Sequence, residues 1–139
     1  MALKKRRPGL VYPVEEDWIY VGSGGSAPAF GSGWLNGEGG AQKCAFRLRE
    51  AGIVDIVGFV ATTTAATRTI FQLPAGYRPS ALVTFPSVRR DSDDSLLYAD
   101  LVQINTSGYV TVDYADVYAA DDKFIVNGSF SLSPAATLA

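Results

Sequence analysis

From Cys44 onward the chain alternates apolar and polar residues with a period of two, and Gly, Pro and Asn interrupt that alternation every few residues. Side chains on a strand point alternately to opposite faces, whereas an amphipathic helix needs apolar positions recurring at three and four. No segment supplies that second pattern. The nearest, Tyr114 to Asp122, is short, has no sustained stripe and reads as a loop. Seven or eight short strands with turn signals between them predict an all-β protein, an antiparallel β-sandwich of jelly-roll-like type.

The individual strands follow from the same alternation. Cys44, Phe46 and Leu48 alternate with Ala45, Arg47 and Arg49, giving a strand with one wet face that Gly52 ends. Ile53 to Val60 reads as one strand, with Val54, Ile56 and Val60 on one face and Ile53, Val57 and Phe59 on the other. Both faces are apolar, so a second cover is expected there, and Phe59 is the candidate contact with a neighbouring subunit. Thr69 to Leu73 is a strand closed by Pro74-Ala75-Gly76, whose Pro and Gly suit the second and fourth positions of a type I turn. Ala81 to Phe85 is a strand ended by Pro86, and Arg89 to Ser95 a polar loop. Leu96–Ile104, Tyr109–Tyr114 and Phe124–Leu132 complete the set, with Asn105 to Gly108 as a hairpin and Asn127-Gly128 as a turn or a bulge.

The first part of the chain differs. Residues 1 to 17 contain Pro8, Gly9 and Pro13 without periodicity and read as an extended arm, able to reach roughly 55 Å. Lys4, Lys5, Arg6 and Arg7 form a basic block within it, and Trp18 stands at its end; these five are the candidate anchor to a larger body. Trp18 to Val21 could form a short strand. Gly22 to Gly40, rich in glycine, reads as a loop or linker into the main domain, with Trp34 as a core or anchoring residue. The expected division is an arm and linker over 1–29 and a sandwich head over 30–139.

Composition narrows the chemistry. The chain has no His and one Cys, Cys44, which removes Ser-His-Asp and Cys-His catalysis, His-ligated metals, disulfides and cysteine zinc sites. The formal charge is −2 in spite of the basic block, so the rest of the chain is acidic, unlike a domain built to neutralise phosphates; no nucleic-acid partner is expected. No secretory leader is visible, and the longest apolar stretch, Ile53 to Ala61, is broken by Asp55 and Gly58, far short of the ~20 apolar residues of a membrane span. The expectation is a protein made in a cytosol, with no membrane partner.

Other candidate sites carry little. Gly22-Ser23-Gly24-Gly25-Ser26-Ala27 matches a dinucleotide fingerprint, but Pro28, Gly31 and Gly33 prevent the helix that such a site requires. Asp91, Asp93 and Asp94 resemble the start of a calcium loop, yet Leu96 and Val102 stand where its Gly and Glu belong. No cofactor is therefore expected. Tyr109, Asp113, Tyr114 and Tyr118 combine aromatic rings with a carboxylate, a set that stacks on and hydrogen-bonds to saccharides or presents area to a protein.

The run Phe71-Gln72-Leu73-Pro74-Ala75-Gly76-Tyr77-Arg78-Pro79 resembles the F-x-LPxGYRP element of small β-sandwich domains in bacteriophage tail fibres and minor tail proteins. Similar patterning extends from Phe30 through Gly58-Phe59-Val60, Val102-Gln103-Ile104 and Gly108-Tyr109-Val110 to Phe130. The resemblance implies a non-enzymatic virion surface protein, usually trimeric, whose sandwich contacts other capsid or tail proteins and host cell-surface glycan. It implies a structural role for the motif: Pro74, Gly76 and Pro79 shape a turn, Tyr77 packs, and Arg78 pairs with a carboxylate. Fibres with this domain carry it at the end of a much longer chain. Only about 29 residues precede it here, which favours a free-standing head with an anchoring arm and brings in a decoration or adaptor role on capsid or tail. A carbohydrate-binding module and a carboxylate glycosidase are the remaining alternatives.

Overall fold

The computed structural model describes residues 16–37, 40–49, 52–63, 66–91, 97–112 and 122–132. These residues form no α-helix. They build eleven strands in two antiparallel sheets packed face to face, a β-sandwich. The four-stranded sheet contains, in order, β1 (Ile19–Tyr20), β3 (Ala45–Arg49), β4 (Ile53–Val57) and β11 (Gly128–Ser131). The seven-stranded sheet runs β2 (Trp34–Asn36), β5 (Phe59–Thr62), β10 (Lys123–Ile125), β7 (Val83–Arg90), β8 (Leu97–Ile104), β9 (Tyr109–Val112) and β6 (Thr69–Gln72).

The larger sheet curls toward a barrel. Phe30, just before β2, bridges Phe71 of β6, and the Gly31 N–H donates to the Ile70 carbonyl at 2.6 Å. The Thr67 N–H reaches Ser32 O at 3.0 Å, and the Thr63 N–H reaches Gly33 O at 2.7 Å. The residues leading into β2 thus draw the two edges of the sheet together, which removes edges that would otherwise be open to pairing. The glycine-rich stretch read as a linker is therefore part of the sheet: its centre is β2, and Trp34 is buried against Phe124, ring centroids 5.2 Å apart, with its indole N–H on Thr67 O at 2.6 Å.

The alternation placed the core faces correctly except at Ala45, expected on the wet face but fully buried where Tyr20 of β1 and Val57 of β4 flank it. Val54, Ile56 and Val60 are almost fully buried, as are Cys44 and Phe46, while Arg47 and Arg49 face outward. The expected single strands 53–60 and 124–132 are each divided between the sheets. Gly58 separates β4 from β5, and Val126-Asn127 separates β10 from β11. The antiparallel pairing keeps one register through this corner, with Ile125 opposite Phe59 before it and Gly128 opposite Ile56 after it. The Val126 N–H donates to Gly58 O at 2.9 Å, and the Gly58 N–H to the Asn127 side-chain oxygen at 3.1 Å. Asn127-Gly128 is thus neither a turn nor a bulge but one half of a corner. A Cβ at Gly58 would lie 2.7 Å from the Cys44 Cα, so only glycine lets the corner approach β3 this closely.

Pro86 does not end its strand. β7 continues to Arg90 because its ladder to β10 involves only Arg89 and Arg90; past Ile125 the neighbouring chain leaves for the other sheet. Pro86 thus sits on a flank with no partner strand, where a missing N–H costs nothing. Arg89, expected in a polar loop, instead stacks over the Tyr98 ring, 4.1 Å to its centroid, and pairs with Asp122 at 3.8 Å.

The turn after β6 is also shifted. The Tyr77 N–H donates to Pro74 O at 3.1 Å, and Gly76 has a φ of +95°. Pro74 is thus the first residue of the turn and Gly76 the third, the position where a type II turn needs positive φ; the expected type I assignment is corrected.

Candidate interaction surfaces

The leading segment docks on β3. Ile19 and Tyr20 pair with Phe46 and Ala45. The Glu16 N–H donates to Leu48 O at 3.2 Å, and its carboxylate accepts the Leu48 N–H at 3.1 Å. The same carboxylate accepts the Tyr77 hydroxyl, which lies 2.8 Å from each oxygen. Tyr77 is held from behind by Phe46, edge to face with centroids 5.1 Å apart. Burial raises the Tyr77 phenol, and the hydrogen bond and negative charge of Glu16 raise it further, to about 12. Trp18 contributes through its ring, over which the Arg47 guanidinium lies at 4.4 Å. Further along, Val21 is part of the core. Residues 1–15, with Lys4, Lys5, Arg6 and Arg7, lie outside the described residues.

The LPxGYRP run therefore has a defined task at its tyrosine, which joins the turn after β6 to the leading segment. Arg78 differs from expectation. Its Nε donates to the Leu73 carbonyl at 2.8 Å, so the partner seen among the described residues is backbone and not a carboxylate. This clamps the turn over the Asn105–Gly108 hairpin, where the Leu73 N–H donates to Gly108 O at 2.8 Å. Asn105 spends its side-chain oxygen on the Ser107 and Tyr109 N–H groups, as Asn127 spends its own on the corner.

Beside the docked segment, the outward face of the four-stranded sheet carries one ionic cluster. Asp55 accepts two hydrogen bonds from Arg49 at 2.6 and 3.0 Å, one from Arg47 at 3.3 Å and one from Ser129 at 2.6 Å. Burial alone would raise this carboxyl; the hydrogen bonds from Arg49, Ser129 and Arg47, with the charge of Arg49, outweigh it and hold the group below its ordinary value.

The outward face of the seven-stranded sheet is different in character. Phe59 stands opposite Ile125 and Val88 opposite Ala99, and the Gly37 N–H donates to Phe59 O at 2.7 Å. Ile125 and Val88 are 39% and 40% exposed, and further along β7 Pro86 stands opposite Leu101, itself 39% exposed. On the other side Leu35 and Leu97 end a row that includes Lys123 and Arg90; Leu97 is 64% exposed. Phe59 is half-buried in this face, its ring lying where a Cβ on Gly37 would be. The chain itself thus provides part of the second cover expected for Phe59. No sequence pattern revealed this face, because its members lie on strands far apart in the chain.

Of the four residues proposed for saccharide contact, Tyr109 is described. It is 40% exposed at the end of β9, paired with Gln72, whose amide donates to Ser107 O at 3.0 Å. Asp113, Tyr114 and Tyr118 lie outside the described residues. A groove of about 810 Å³ opens elsewhere, beside the docked segment, lined by Tyr20, Asn36, Gln42 and Lys43 among others.

No protein-family model matches the chain, and neither a curated protein nor a solved structure matches it.

Proposed function

We propose that the protein is a non-enzymatic structural component of a bacteriophage virion, a trimeric β-sandwich head fastened to the particle by the arm before Glu16. The observation that carries this reading is the bond between Tyr77 and Glu16. The tyrosine of the motif that resembles phage tail-fibre domains is the residue that ties down the leading segment. Tension on the arm would pass from Glu16 into β3 and into the turn after β6, both set in the core through Phe46 and Leu73. Strand addition of this kind gives main-chain affinity with little demand on sequence, which suits an attachment that must be firm and not chemically selective.

Within this reading, two roles are distinguished by their surfaces. A host-receptor role rests on the exposed Tyr109 ring and its Gln72 neighbour as a saccharide platform. A decoration or adaptor role on capsid or tail rests on the broad apolar face of the seven-stranded sheet, which offers area for protein contact and few polar groups for a sugar. That face favours the second role. Deleting residues 1–15, and keeping Glu16 so that β1 stays docked, tests the anchor: the head should fold and be missing from purified particles. Unchanged occupancy would remove the anchoring arm from the proposal. Host-specific glycan binding lost on Tyr109→Ala would return the receptor role to first place.

A further inference from the structure

We infer that the outer edge of β11 receives residues 10–14 of a neighbouring copy as an added strand, so that each molecule hands its arm to the next. The inference deepens the trimer proposed above and rests on it. Gly128 to Ser131 pair with β4 in one unbroken register, and in that same register the Val126 N–H donates to Gly58 O and the Leu132 N–H to Gly52 O. Hydrogen-bonded residues alternate along an antiparallel strand. Gly128 and Phe130 therefore direct their N–H and C=O groups to β4, and Ser129 and Ser131 direct theirs away from it. No described residue bonds to those outward backbone groups, and β11 ends its sheet. Such an edge is a template for another chain unless a proline, a lysine or a bulge blunts it. The larger sheet draws its edges together, β7 has Pro86 on its open flank, and β1 is two residues long. β11 carries none of these devices.

The arm's sequence and reach decide the occupant. Leu10-Val11-Tyr12-Pro13-Val14 combines strand-forming residues with one proline. Laid antiparallel with Tyr12 opposite Ser129, the segment turns the backbone groups of Leu10, Tyr12 and Val14 toward β11. Pro13 then falls on the outer side, where no N–H is needed, and Val11 lies on the same face as the buried Phe130. The arm of the same molecule cannot supply this strand. Its Glu16 sits against Leu48, and Ser131 sits against Ile53, both near the β3–β4 turn. Three strand spacings, about 14 Å, separate β1 from β11. Crossing them consumes about four residues at ~3.3 Å each, which leaves Gly9, Pro8 and the basic block for the edge. A neighbour's arm meets the edge without that crossing. Donor and acceptor are different patches, so the contact runs head to tail, the type that closes into a ring such as a trimer. Lys4 to Arg7 stay beyond the added strand for the particle.

The test is the solution mass of full-length variants by light scattering and sedimentation, with amide exchange read at Ser129 and Ser131. The wild type is expected at three times 14.8 kDa, with both amides protected. Tyr12→Pro, ahead of every described contact, and Ser131→Pro each break one side of the added ladder and should give the single-chain mass with circular dichroism unchanged. In a mixture of the two, one intact edge meets one intact arm, and the mass of two chains should appear. If Ser131→Pro does not fold, a synthetic peptide of residues 8–15 should slow exchange at Ser129 and Ser131 of the Tyr12→Pro protein at least tenfold. Folded variants at the wild-type mass, or wild-type Ser129 and Ser131 amides that exchange freely, would overturn the strand exchange and leave the trimer standing. A wild type at the single-chain mass at every concentration would overturn both. Particle occupancy, measured separately, decides the virion reading whichever way the masses fall.

Discussion

The Tyr77 hydroxyl lies 2.8 Å from each carboxylate oxygen of Glu16, 61 residues earlier in the chain, and shares its one proton between them. Glu16 also exchanges two hydrogen bonds with Leu48. One side chain thus couples the leading segment, β3 and the turn after β6.

Replacing Tyr77 by Phe keeps the packing on Phe46 and removes only the hydroxyl. A hydrogen bond to a charged group contributes about 1.5 kcal/mol or somewhat more, so denaturant unfolding should show a loss of that size. Hydrogen exchange should quicken at Ile19 and Tyr20 while the amides of β4 and β8 stay protected. Equal acceleration everywhere would show that the bond is not local to the docked segment.

The same bond sets an alkaline limit. An ordinary tyrosine titrates near 10, whereas Tyr77 is raised to about 12. Because the folded value lies above the unfolded one, the stabilisation is complete below pH ~10 and disappears as the pH rises through about 12. Phenolate absorbance in wild type minus that in Tyr77→Phe should show one late-titrating group.

Asp55 gives the opposite sign. Its carboxyl is held below its ordinary value, so its contribution is present above pH ~3.9 and declines as the pH falls through the folded value. Asp55→Asn should cost about 2 kcal/mol at neutral pH, and the gap between variant and wild type should close in acid. A gap that stays constant down to pH 2 would contradict the role given to the Arg47, Arg49 and Ser129 contacts.

Gly58→Ala should destabilise by about 1–3 kcal/mol, the range for overpacking a tight interior, because the added methyl meets the Cys44 backbone. Gly40→Ala, where a Cβ meets nothing within 4 Å, is the control and should have little effect.

Cys44 is fully buried, and burial raises its thiol to about 12. At pH 8 that alone lowers the thiolate population roughly a thousandfold. Ellman's reagent should label the native protein only as fast as β3 opens, and Gly58→Ala, which disturbs the same contact, should accelerate it.

Strand existence and the identity of the buried face were readable wherever one strand has one wet side. Tyr109 to Val112 is such a case, and so is Phe46 to Arg49, because a period of two in polarity is a direct image of a sheet with one dry face; Ala45 breaks the pattern because β1 and β4 flank it on both sides. The reading lost resolution where a strand changes sheets. Ile53 to Val60 and Phe124 to Leu132 stay alternating through the corner, since both halves face the same core and the pairing register does not slip. A glycine there looks like a bulge or a turn. β2 was missed because its three residues lie among glycines that serve the barrel closure, and glycine is counted against a strand whatever its purpose.

Polarity and chain stiffness are properties of neighbouring residues, and they suffice for an all-β chain, its turns and most of its core. Partnership between distant residues is another matter: the Tyr77–Glu16 bond, the Asp55 cluster and the Phe59–Ile125 pair each join segments separated by long stretches of chain. Those arise only when the sheets are ordered and registered, because cross-strand neighbours are set by hydrogen-bonded pairing and not by proximity along the backbone.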